Sequence, residues 1–537
     1  MNIAWWLEHA ADEAGEHVAL IDGAADERVT YAQLRDRAEA LAAALRDEVR
    51  VGPGDVVATI MPDDCWHTAI FYGLLRLGAT FTGFNRTLAK EKFATDIERS
   101  QVRVLIVGQD FVEVGRELLN ETCVEELLVC GDDVPDGLRD LRRLAGTERD
   151  QVRITPCLAD EIAAVNFTGG TSGVAKGVIF THGKLTLSAQ ASVFYDRLTS
   201  RDVNLSVISL YHSGGIHDAV KWTMVTATNV LSGGWQVERC RDLIGAHGVT
   251  WISFWVPTMI RDLMRHPAFE TIPLERMSAI LCGEAVPPEL EQALLDRGMN
   301  VSNSYGMTET MPVGILKPLV AYGDRAPAGS AGRPMPELCE VVLKDLVTGE
   351  PITEPSIAGE ICVRGGVTTP GYHNDPERTS DAFDDEGFLH TRDLASIDDD
   401  GWFWLGGRTD DIINTGAEKL SLLEIEAALR GHSDVLDVAC VGVRHARFGE
   451  APAAFVVVSG DQDESTVAHT LDEHCLSYLE RWKRPRLYAV VDAIPRTLPK
   501  RTKDLSRLRA MLAGIEVSDE SAVTTLGTAT RSRPGGL

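Results

Sequence analysis

Short apolar runs alternate with helical patterns along most of the chain. The runs have the length of buried strands and lie at residues 56–60, 104–107, 126–129, 163–166, 203–209 and 250–254. Near the N-terminus, Leu34, Ala38, Leu41 and Leu45 recur at helical spacing after Thr30, a residue type that caps helices. Strands that alternate with helices predict an α/β fold with parallel sheets covered by helices.

The pattern changes between residues 389 and 414, where acidic turns and a Gly-Gly-Arg segment interrupt it. Beyond this break, the sequence predicts a helix at 422–430 and strands at 435–443 and 454–458, in a stretch of domain size. We therefore expect an N-terminal domain over residues 1–409 and a C-terminal domain over 410–517. The polar tail at 518–537 contains proline and glycine and is expected to be disordered.

The composition is that of an ordinary globular protein with a strongly acidic balance. Of 537 residues, 44% are hydrophobic and 25% charged, and 80 acidic against 52 basic residues give a net charge of −28. This charge disfavours binding to nucleic acids or anionic membranes. The 10 cysteines include no Cys-x-x-Cys pair, which argues for reduced thiols and against structural zinc. Without a basic leader or a run of membrane-spanning length, we expect a cytoplasmic protein with no membrane span.

One loop combines glycines, hydroxyls and a lysine at high density. Residues 166–177 read Asn-Phe-Thr-Gly-Gly-Thr-Ser-Gly-Val-Ala-Lys-Gly between two apolar runs. Glycines let the backbone approach a ligand, hydroxyls donate hydrogen bonds and lysine adds a cation, so the loop suits a polyphosphate. The Lys-Gly-Val order differs from a Walker loop, and an ordinary surface turn is the alternative interpretation. The residues predicted to contact phosphate are Thr168, Gly169, Gly170, Thr171, Ser172, Gly173 and Lys176.

Two further segments carry groups that suit a nucleotide. Within residues 303–309, Tyr305 could stack on a base, Thr308 could bind a phosphate, and Glu309 could hold Mg²⁺, a hard cation that prefers oxygen ligands. Asp393 is suited to accept hydrogen bonds from ribose hydroxyls. Each signal is weak alone, because a Tyr-Gly turn or an Arg-x-Asp pair is usually structural. Their order and spacing in one chain make coincidence a poor explanation.

The chain resembles the ANL superfamily of adenylate-forming enzymes, in its acyl-CoA synthetase branch. The resemblance is carried by the glycine loop and by residues 303–309, 390–393 (His-Thr-Arg-Asp) and 407–411 (Gly-Arg-Thr-Asp-Asp). It implies a large N-terminal domain of two β/α subdomains plus a small β-barrel, and a mobile α+β C-terminal domain. In the family reaction, a carboxylate attacks the α-phosphate of ATP to give acyl-AMP and pyrophosphate, and a thiol then displaces AMP after the C-terminal domain rotates. The implied cofactors and substrates are Mg²⁺, ATP or acyl-AMP, a small-molecule carboxylic acid and CoA.

The resemblance also implies roles for individual residues. The glycine loop would cradle the phosphates, Thr308 would contact the α-phosphate and Glu309 would bind Mg²⁺. Asp393 and Arg408 would bind the ribose and adjacent phosphate oxygens, and Asp410 would be the hinge of the domain rotation. The other positions implied to bind nucleotide are Gly283, Glu284, Ala285, Asn303, Ser304, Tyr305 and Gly306.

A separate group of residues is implied to hold the acid and CoA. His212 matches the gate that the family places beside the reacting carboxylate, although a lone histidine is often only a packed ring. The residues implied to form an apolar acid pocket are Gly214, Gly215, Trp222, Phe254, Trp255, Val256 and Met259. The alternative is that these aromatic side chains simply fill the core. Nothing resembles the aspartate that holds an α-amino group in amino-acid-activating relatives, so we expect an apolar, non-amino acid. Beside the CoA tunnel, the resemblance implies Gly416, Ala417 and Lys419.

The C-terminal catalytic motif departs from the family pattern. Residues 495–503 read Pro-Arg-Thr-Leu-Pro-Lys-Arg-Thr-Lys, where the family has Gly-Lys after two variable residues. Aligned without a gap, Arg501 takes the place of the catalytic lysine. With one residue deleted, Lys500 takes that place and Pro499 replaces the glycine. Arginine is a fork rather than a point charge and proline fixes φ, so neither alignment restores the motif. Arg392 also stands where the family usually has glycine.

These departures affect adenylation more than thiol transfer, because the family's C-terminal lysine serves the first step. We therefore predict an enzyme that is competent in thioesterification, weak or inactive in adenylation, and supplied with acyl-adenylate by a separate ligase. The combination resembles the non-adenylating ligases of platensimycin-type diterpenoid biosynthesis, which implies a bulky polycyclic acid. The alternatives are a complete two-step synthetase that uses Lys500, a non-catalytic protein that senses acyl-AMP or CoA, and a luciferase-like oxygenase with the same motifs.

Overall fold

The computed structural model describes residues 1–168, 175–317, 326–415, 418–460, 463–496, 503–518 and 524–525. The chain divides into two units. The first unit consists of Met1–Ile357, Ile361–Thr391 and Ser396–Trp404. The second consists of Ala358–Glu360, Arg392–Ala395 and Leu405–Leu537. Asp410 belongs to the second unit, and its role as a hinge stays a prediction.

The helices of the described residues follow in chain order. They are α1 (Ala4–Ala14), α2 (Tyr31–Val49), α3 (Cys65–Leu77), α4 (Lys90–Ser100), α5 (Val112–Glu121), α6 (Leu141–Ala145), α7 (His182–Tyr195), α8 (Ser213–Met224), α9 (Val237–His247), α10 (Pro257–Met264), α11 (Pro288–Asp296), α12 (Pro376–Ala382), α13 (Leu422–Arg430), α14 (Glu464–Tyr478) and α15 (Leu505–Met511). None of these helices combines the length and the apolar character that crossing a membrane requires.

The strands of the described residues are numbered in the same way. The strands up to residue 317 are β1 (Val18–Asp22), β2 (Glu27–Thr30), β3 (Val56–Ile60), β4 (Thr80–Gly83), β5 (Val102–Gly108), β6 (Glu126–Cys130), β7 (Arg139–Asp140), β8 (Ile162–Thr168), β9 (Lys176–Thr181), β10 (Val203–Ser206), β11 (Thr228–Leu231), β12 (Trp251–Trp255), β13 (Ser278–Leu281), β14 (Asn300–Met307) and β15 (Met311–Lys317). The later strands are β16 (Arg333–Pro334), β17 (Cys339–Lys344), β18 (Gly359–Gly365), β19 (Leu389–Ile397), β20 (Phe403–Arg408), β21 (Ile412–Thr415), β22 (Glu418–Ser421), β23 (Val435–His445), β24 (Gly449–Val458), β25 (Leu487–Val490), β26 (Glu516–Val517) and β27 (Thr524–Thr525).

A nine-stranded sheet in the first unit has the order β16-β15-β14-β13-β12-β10-β11-β1-β2. Its strands from β14 to β1 run parallel, while β15, β16 and β2 pair antiparallel at the two ends. β10 pairs with β11 on one side and with β12 on the other, so the strand order reverses at β10. In parallel sheets, ligands bind beyond the carboxyl ends of the strands at such a reversal.

A seven-stranded sheet in the first unit has the order β7-β6-β5-β3-β4-β8-β9. β3 is buried along its whole length, as expected for a parallel strand with both faces covered. β8 and β9 pair antiparallel, with Thr168 opposite Lys176, so the predicted glycine loop closes a hairpin. Residues 169–174 of that loop lie outside the described residues.

Most elements that the sequence predicts are present. β3 matches its predicted strand residue for residue, and α2 begins after Thr30. Thr30 Oγ1 accepts a hydrogen bond from Gln33 N (3.3 Å), and Gln33 Oε1 accepts one from Thr30 N (2.9 Å), which confirms the predicted cap. The strand predicted at 203–209 ends earlier, at Ser206. The chain turns there into α8, because His212 N donates to Ser209 O at 2.9 Å.

The second unit contains a sheet with the order β22-β21-β24-β23-β26, in which β25 pairs with β24 and with β27. Alternate residues of β23 face opposite sides of this sheet. On one side, Val438 packs in a cluster with residues of α13 and α14, and on the other Val441 packs with Leu508 of α15. The predicted helix at 422–430 and the two predicted strands after it are confirmed. Elsewhere, β17, β18, β19 and β20 form a four-stranded sheet in that order.

Candidate active site

The candidate residues of the first unit gather at one edge of the nine-stranded sheet. β10, β12, β13 and β14 are adjacent and parallel, so their carboxyl ends lie at the same edge. Residues 212–215 follow β10, 254–256 end β12, 283–285 follow β13 and 305–309 end β14. The residues predicted for the acid and for the nucleotide therefore lie along one edge of the sheet, and those after β10 lie at the reversal of strand order.

A buried lysine on α7 holds the turn that carries Thr308 and Glu309. Lys184 Nζ donates to Thr308 O at 3.1 Å and to Glu309 O at 2.8 Å, and it lies 4.4 Å from the centroid of the Phe180 ring. Lys184 is 2% exposed. Burial holds the pKa of Lys184 well below its ordinary value, against the opposing effect of the Glu309 charge. Lys184 therefore fixes, through their carbonyl groups, two residues predicted to bind the nucleotide and its metal.

Tyr372 connects Glu309 to Lys176. Its hydroxyl donates to Glu309 Oε1 at 2.9 Å. Lys176 Nζ lies 3.5 Å from the same hydroxyl oxygen and 4.7 Å from the centroid of the ring. The backbone holds Tyr372 in place beside β9, because His373 N donates to Gly177 O at 2.7 Å. The end of the glycine loop and the Glu309 turn are thus parts of one hydrogen-bonded structure.

Arg99 on α4 anchors the described end of the glycine loop. Its guanidinium donates to Ala175 O and lies 2.6 Å from a carboxylate oxygen of Asp375. Asn374 Nδ2 donates to Arg99 O at 3.1 Å. The segment around Tyr372 and the base of the glycine loop therefore share one cationic anchor.

The Glu309 carboxylate suits a divalent cation. Its side chain is almost fully buried, and its partner at Oε1 is the neutral hydroxyl of Tyr372. Within the described part of the chain, no lysine, arginine or histidine nitrogen lies within salt-bridge distance of it. Lys184 and Lys176 are nearby cations, but neither forms a salt bridge with this carboxylate, and a buried carboxylate of this kind suits a hard cation such as Mg²⁺. The residue therefore fits the metal role that the sequence predicts.

The segment after β13 presents exposed small residues at the same edge. Gly283 has φ +85° and is exposed, as is Ala285. A Cβ on Gly283 would lie 3.0 Å from Val256 Cγ1. Thr258 Oγ1 donates to Glu284 Oε1 at 3.3 Å, which holds the segment against the start of α10. This exposed backbone is suited to frame a flat ring, in agreement with the predicted adenine contact.

Two glycines at the start of α8 are required by close contacts. A Cβ on Gly215 would lie 2.1 Å from Ser209 O, and a Cβ on Gly214 would lie 3.0 Å from Phe254 Cδ2. A side chain at residue 215 would therefore displace the backbone. Gly215 also lines a crevice between the carboxyl ends of β10 and β11. His212 directly precedes α8, and its ring centroid lies 5.8 Å from that of Tyr211.

Phe254 differs from the other aromatic residues predicted to contact the acid. Its φ of +55° is a rare conformation for a bulky residue, and the register between β12 and β13 shifts between Ile252 and Trp255. Such bulges often re-aim side chains next to active sites. Trp255 and Val256 instead belong to a large core cluster, and Trp222 packs against Trp251 in another. Packing alone accounts for these three side chains, and their contact with the acid stays a prediction.

In the second unit, Asp393 and Arg408 form an ion pair. Arg408 Nη1 lies 2.6 Å from Asp393 Oδ1, and Arg408 N donates to Asp411 Oδ2 at 3.0 Å. Arg392, where the family usually has glycine, has φ +61°, and its N–H donates to Glu360 Oε1 at 2.8 Å. A left-handed conformation costs a residue with a Cβ about 1–2 kcal/mol. The backbone at residue 392 therefore keeps a glycine-like conformation although the residue is arginine.

Several predicted residues of the second unit lie outside the described part of the chain. Arg496 and Lys503 form a β-bridge, and Lys503 Nζ pairs with Glu426. The segment between them, 497–502, lies outside the described residues, as does 416–417. The predicted residues affected are Lys500, Arg501, Gly416 and Ala417, and the side chains of Asp410 and Lys419 are likewise not described.

Lys184 and Tyr372 were not predicted as site residues. A weak signal exists for Lys184, because a cation in the first turn of a helix opposes the helix dipole, and α7 begins at His182. The hydrogen bonds from Lys184 to the carbonyl groups of Thr308 and Glu309 explain why a lysine occupies this position. For Tyr372, nothing local in the sequence indicates a contact with Glu309.

Comparison with known proteins identifies the family of this chain. The model of the AMP-binding enzyme family matches residues 7–373, and the model of the AMP-binding enzyme C-terminal domain matches residues 424–500. The first match alone covers more than half of the chain. The chain therefore belongs to the AMP-binding enzymes of the ANL superfamily.

Individual relatives define the class of reaction. A long-chain-fatty-acid–CoA ligase of Thermus thermophilus is 29% identical over 515 residues, which cover 93% of each chain. The structure of ATP-bound MatB from Rhodopseudomonas palustris has a TM-score of 0.84 at 26% identity, covering 95% of this chain and 99% of that one. O-succinylbenzoate CoA synthetase (MenE) from Bacillus subtilis, in complex with ATP and magnesium ion, has a TM-score of 0.79 at 26% identity, covering 95% and 99%. The chain is an acid–thiol ligase of the acyl-CoA synthetase type.

Proposed function

We propose that the protein binds an acyl-adenylate and transfers its acyl group to CoA with release of AMP, and that its own adenylation activity is weak or absent. The observation that carries the proposal is the contrast between two parts of the chain. The groups around Glu309 that are predicted to face the nucleotide, and the Asp393–Arg408 pair, are present and supported by neighbouring residues. The motif that supplies the adenylation lysine departs from the family pattern at residues 499–501.

Thiol transfer requires positioning more than acid–base chemistry. The thiolate sulfur of CoA attacks the acyl carbonyl carbon, the bond from that carbon to the phosphate oxygen breaks, and AMP leaves with the electron pair. The thiol proton passes to water. Acyl-AMP is a mixed anhydride with a good leaving group, so correct placement of the two reactants supplies most of the rate. Asp393 and Arg408 would hold the ribose and a phosphate oxygen during this step.

Adenylation requires stabilisation of charge that develops between a carboxylate and the α-phosphate. Removing one preorganised donor from such a site costs about 10²–10³ in rate. Bound Mg²⁺ would neutralise phosphate charge in this step, and Glu309 is the residue that would hold it. Neither Lys500 after a proline nor Arg501 reproduces a lysine after a glycine. A partner ligase would then supply the adenylate.

The finer resemblance to non-adenylating ligases of platensimycin-type diterpenoid biosynthesis supports an apolar, bulky polycyclic acid. We keep this substrate class as part of the proposal. Gly214 and Gly215 are required by close packing against Phe254 and the Ser209 carbonyl group, so the size of the acyl group rests on the resemblance. The lack of a Cys-x-x-Cys pair, which argues for reduced thiols, supports a cytoplasmic location.

One observation favours a complete two-step synthetase that uses Lys500. Glu309 is buried and forms no salt bridge among the described residues, and a metal at this position is needed for ATP rather than for acyl-AMP. A non-catalytic sensor of acyl-AMP or CoA remains the alternative from another class. A sensor function does not explain why the Glu309 carboxylate is buried at this position.

We expect Lys500→Ala and Arg501→Ala each to leave thioester formation from preformed acyl-AMP within about threefold of the parent, because neither side chain serves this step. CoA consumption measures this rate, and pyrophosphate release from free acid with MgATP is followed in parallel. Arg507→Ala, an exposed arginine on α15, is the matched control for loss of a positive charge. A loss of pyrophosphate release of about a hundredfold or more in either variant would establish the two-step synthetase instead.

A further inference from the structure

A stripe of polar side chains runs along the buried face of α8. Gly214, His217, Asp218 and Lys221 recur at i, i+3, i+4 and i+7, so they share one face of the helix. The three side chains are fully buried, with exposed fractions of 0%, 1% and 0%. A charged and polar stripe inside a helix face is costly unless something uses it. None of the three residues belongs to the candidate active site as described above.

Phe254 covers this stripe from the end of β12. Its ring would touch a Cβ on Gly214, its centroid lies 5.6 Å from that of His217, and Lys221 Nζ lies 4.6 Å from its centroid. Phe254 is also the residue with the left-handed φ and the bulge. The strained residue and the polar stripe are therefore in direct contact. Strain of this kind clusters at ligand sites.

The stripe keeps hydrogen-bonding capacity that the described residues do not use. Neither ring nitrogen of His217 has a hydrogen bond of ordinary geometry, and the nearby Ser188 backbone could satisfy at most one of them. Lys221 Nζ lies 2.9 Å from Asp218 Oδ1, which leaves two of its three N–H groups without a partner in the described part of the chain. Native proteins rarely leave such groups unsatisfied.

The stripe begins near the residues predicted to contact the acid and extends along α8 into the protein interior. Gly214 lies in the first turn of α8, beside the carboxyl ends of β10 and β12. Lys221 lies seven residues further, about 10 Å along the helix axis. An acyl chain that enters past Gly214 would therefore meet polar groups at its far end. Lys221 Nζ also lies 5.3 Å from the centroid of the Trp222 ring, which belongs to an apolar core cluster.

The charges around the stripe favour a neutral ligand group. Lys221 and Asp218 cancel each other as an ion pair. Burial raises the pKa of Asp196 at the end of α7 to about 7, while the nearby Lys221 charge lowers it. Burial also lowers the pKa of His217 to about 3, so its ring is neutral and offers one donor and one acceptor. Burial also raises the pKa of Asp218, while Lys221, 2.9 Å away, lowers it. With that pair ionised, the net charge near the stripe is zero or negative, which disfavours a second carboxylate on the acid.

We propose that the acyl group is largely apolar but carries an uncharged oxygen function, a hydroxyl or a keto group, that hydrogen-bonds to His217 and Lys221 where Phe254 now packs. This inference rests on the proposed function, because it names the substrate class of the same acid site. A hydroxyl or carbonyl oxygen accepts from Lys221, and a hydroxyl also matches either tautomer of His217. A fully apolar acid would leave these buried groups without hydrogen-bond partners, which is unfavourable.

The test uses preformed adenylates of matched acids, so that it does not depend on adenylation. One series is octanoyl-AMP and its forms with a terminal hydroxyl, keto, carboxylate or ammonium group, and a second is cinnamoyl-AMP with 4-hydroxy and 4-carboxy forms. We expect kcat/KM for CoA transfer to be at least about tenfold higher for the hydroxy or keto form than for the unsubstituted form in one series. The carboxylate and ammonium forms are expected to be poorer than either.

Variants connect this preference to the stripe. His217→Phe keeps the ring packed on Phe254 and leaves the ion pair intact, and it is expected to reduce the preference to within about threefold. The double variant Lys221→Met/Asp218→Asn removes the donor without leaving a buried charge unpaired. Val220→Ala, a buried residue of α8 outside the stripe, is the matched control and should keep the preference. An equal or higher rate for the unsubstituted or dicarboxylate form overturns this inference, whereas failure of every adenylate to give thioester, a polycyclic acyl-adenylate included, overturns the proposed function.

Discussion

Replacing Asp393 by asparagine is expected to lower kcat/KM for an acyl-adenylate about a hundredfold. The carboxylate is predicted to accept hydrogen bonds from the ribose hydroxyls, and bonds to a charged acceptor contribute about 1.5–3 kcal/mol each. The change is nearly isosteric, but it also removes the charge that orients Arg408, whose Nη1 lies 2.6 Å from Asp393 Oδ1. Steady-state rates with preformed acyl-AMP and CoA measure the effect, and calorimetric titration with AMP measures the loss of affinity.

Asp55→Asn is the matched control for this prediction. Asp55 also pairs with an arginine, Arg103, at 2.6 Å, and the side chains of Asp55 and Asp393 are similarly part-buried. This variant should lose some thermal stability but keep both AMP affinity and kcat/KM. If Asp393→Asn leaves AMP affinity unchanged, the ribose role carried over from the family is wrong for this chain.

Replacing Lys184 by methionine is expected to weaken AMP binding at least about tenfold and to lower the melting temperature by about 5 °C or more. Methionine fills a similar volume, but it leaves Thr308 O and Glu309 O without their donor in a buried turn. Each unsatisfied carbonyl costs about 1–3 kcal/mol. The turn should then lose the geometry that places the Thr308 hydroxyl and the Glu309 carboxylate. Calorimetric titration with AMP and a thermal melt measure the two effects.

Lys344→Met is the control variant that distinguishes an effect on the Thr308–Glu309 turn from a general loss of stability. Lys344 is also almost fully buried, and it pairs with Asp384 at 2.6 Å and Glu386 at 2.7 Å. Its loss should lower the melting temperature without a change in AMP affinity. Equal losses of AMP affinity in both variants would mean that Lys184 acts only through global stability. Unchanged affinity in Lys184→Met would remove its positioning role.

Local patterns were sufficient to predict most of the fold. The valine-rich run at 56–60 and the capped helix after Thr30 are defined by residues next to each other in sequence, and both are present. The position of the glycine loop between two buried strands was predicted for the same reason. The pattern did not indicate that β8 and β9 pair antiparallel, because an apolar run has the same composition in either direction.

The candidate site was predicted less completely, because its support comes from distant segments. Lys184 and Glu309 are 125 residues apart, and Tyr372 and Glu309 are 63 residues apart. Neither contact leaves a periodic signal in the sequence. Apolar composition also does not distinguish a pocket from a core, so Trp255 was predicted in the same way as Phe254. Phe254 is distinguished from Trp255 only by its backbone strain and its polar neighbours, which the structure shows.

Departures from the family pattern differ in how far local structure explains them. At residue 392, φ of +61° indicates that the backbone retains the conformation suited to glycine, so the arginine is accommodated at a local cost. At residues 499–501, the departure is defined by the sequence alone. The predicted loss of adenylation activity is therefore tested by kinetic measurements.

The most direct test of the central claim measures thioester formation from CoA in two parallel reactions. One contains free acid with MgATP, the other contains preformed acyl-AMP, and pyrophosphate release is followed in the first. The acids should include aromatic, fatty and polycyclic members, with and without a hydroxyl or keto group. We predict thioester from acyl-AMP and little or no pyrophosphate from free acid. Thioester and pyrophosphate from free acid at a rate similar to that of the adenylate reaction would contradict the claim and define an ordinary two-step synthetase.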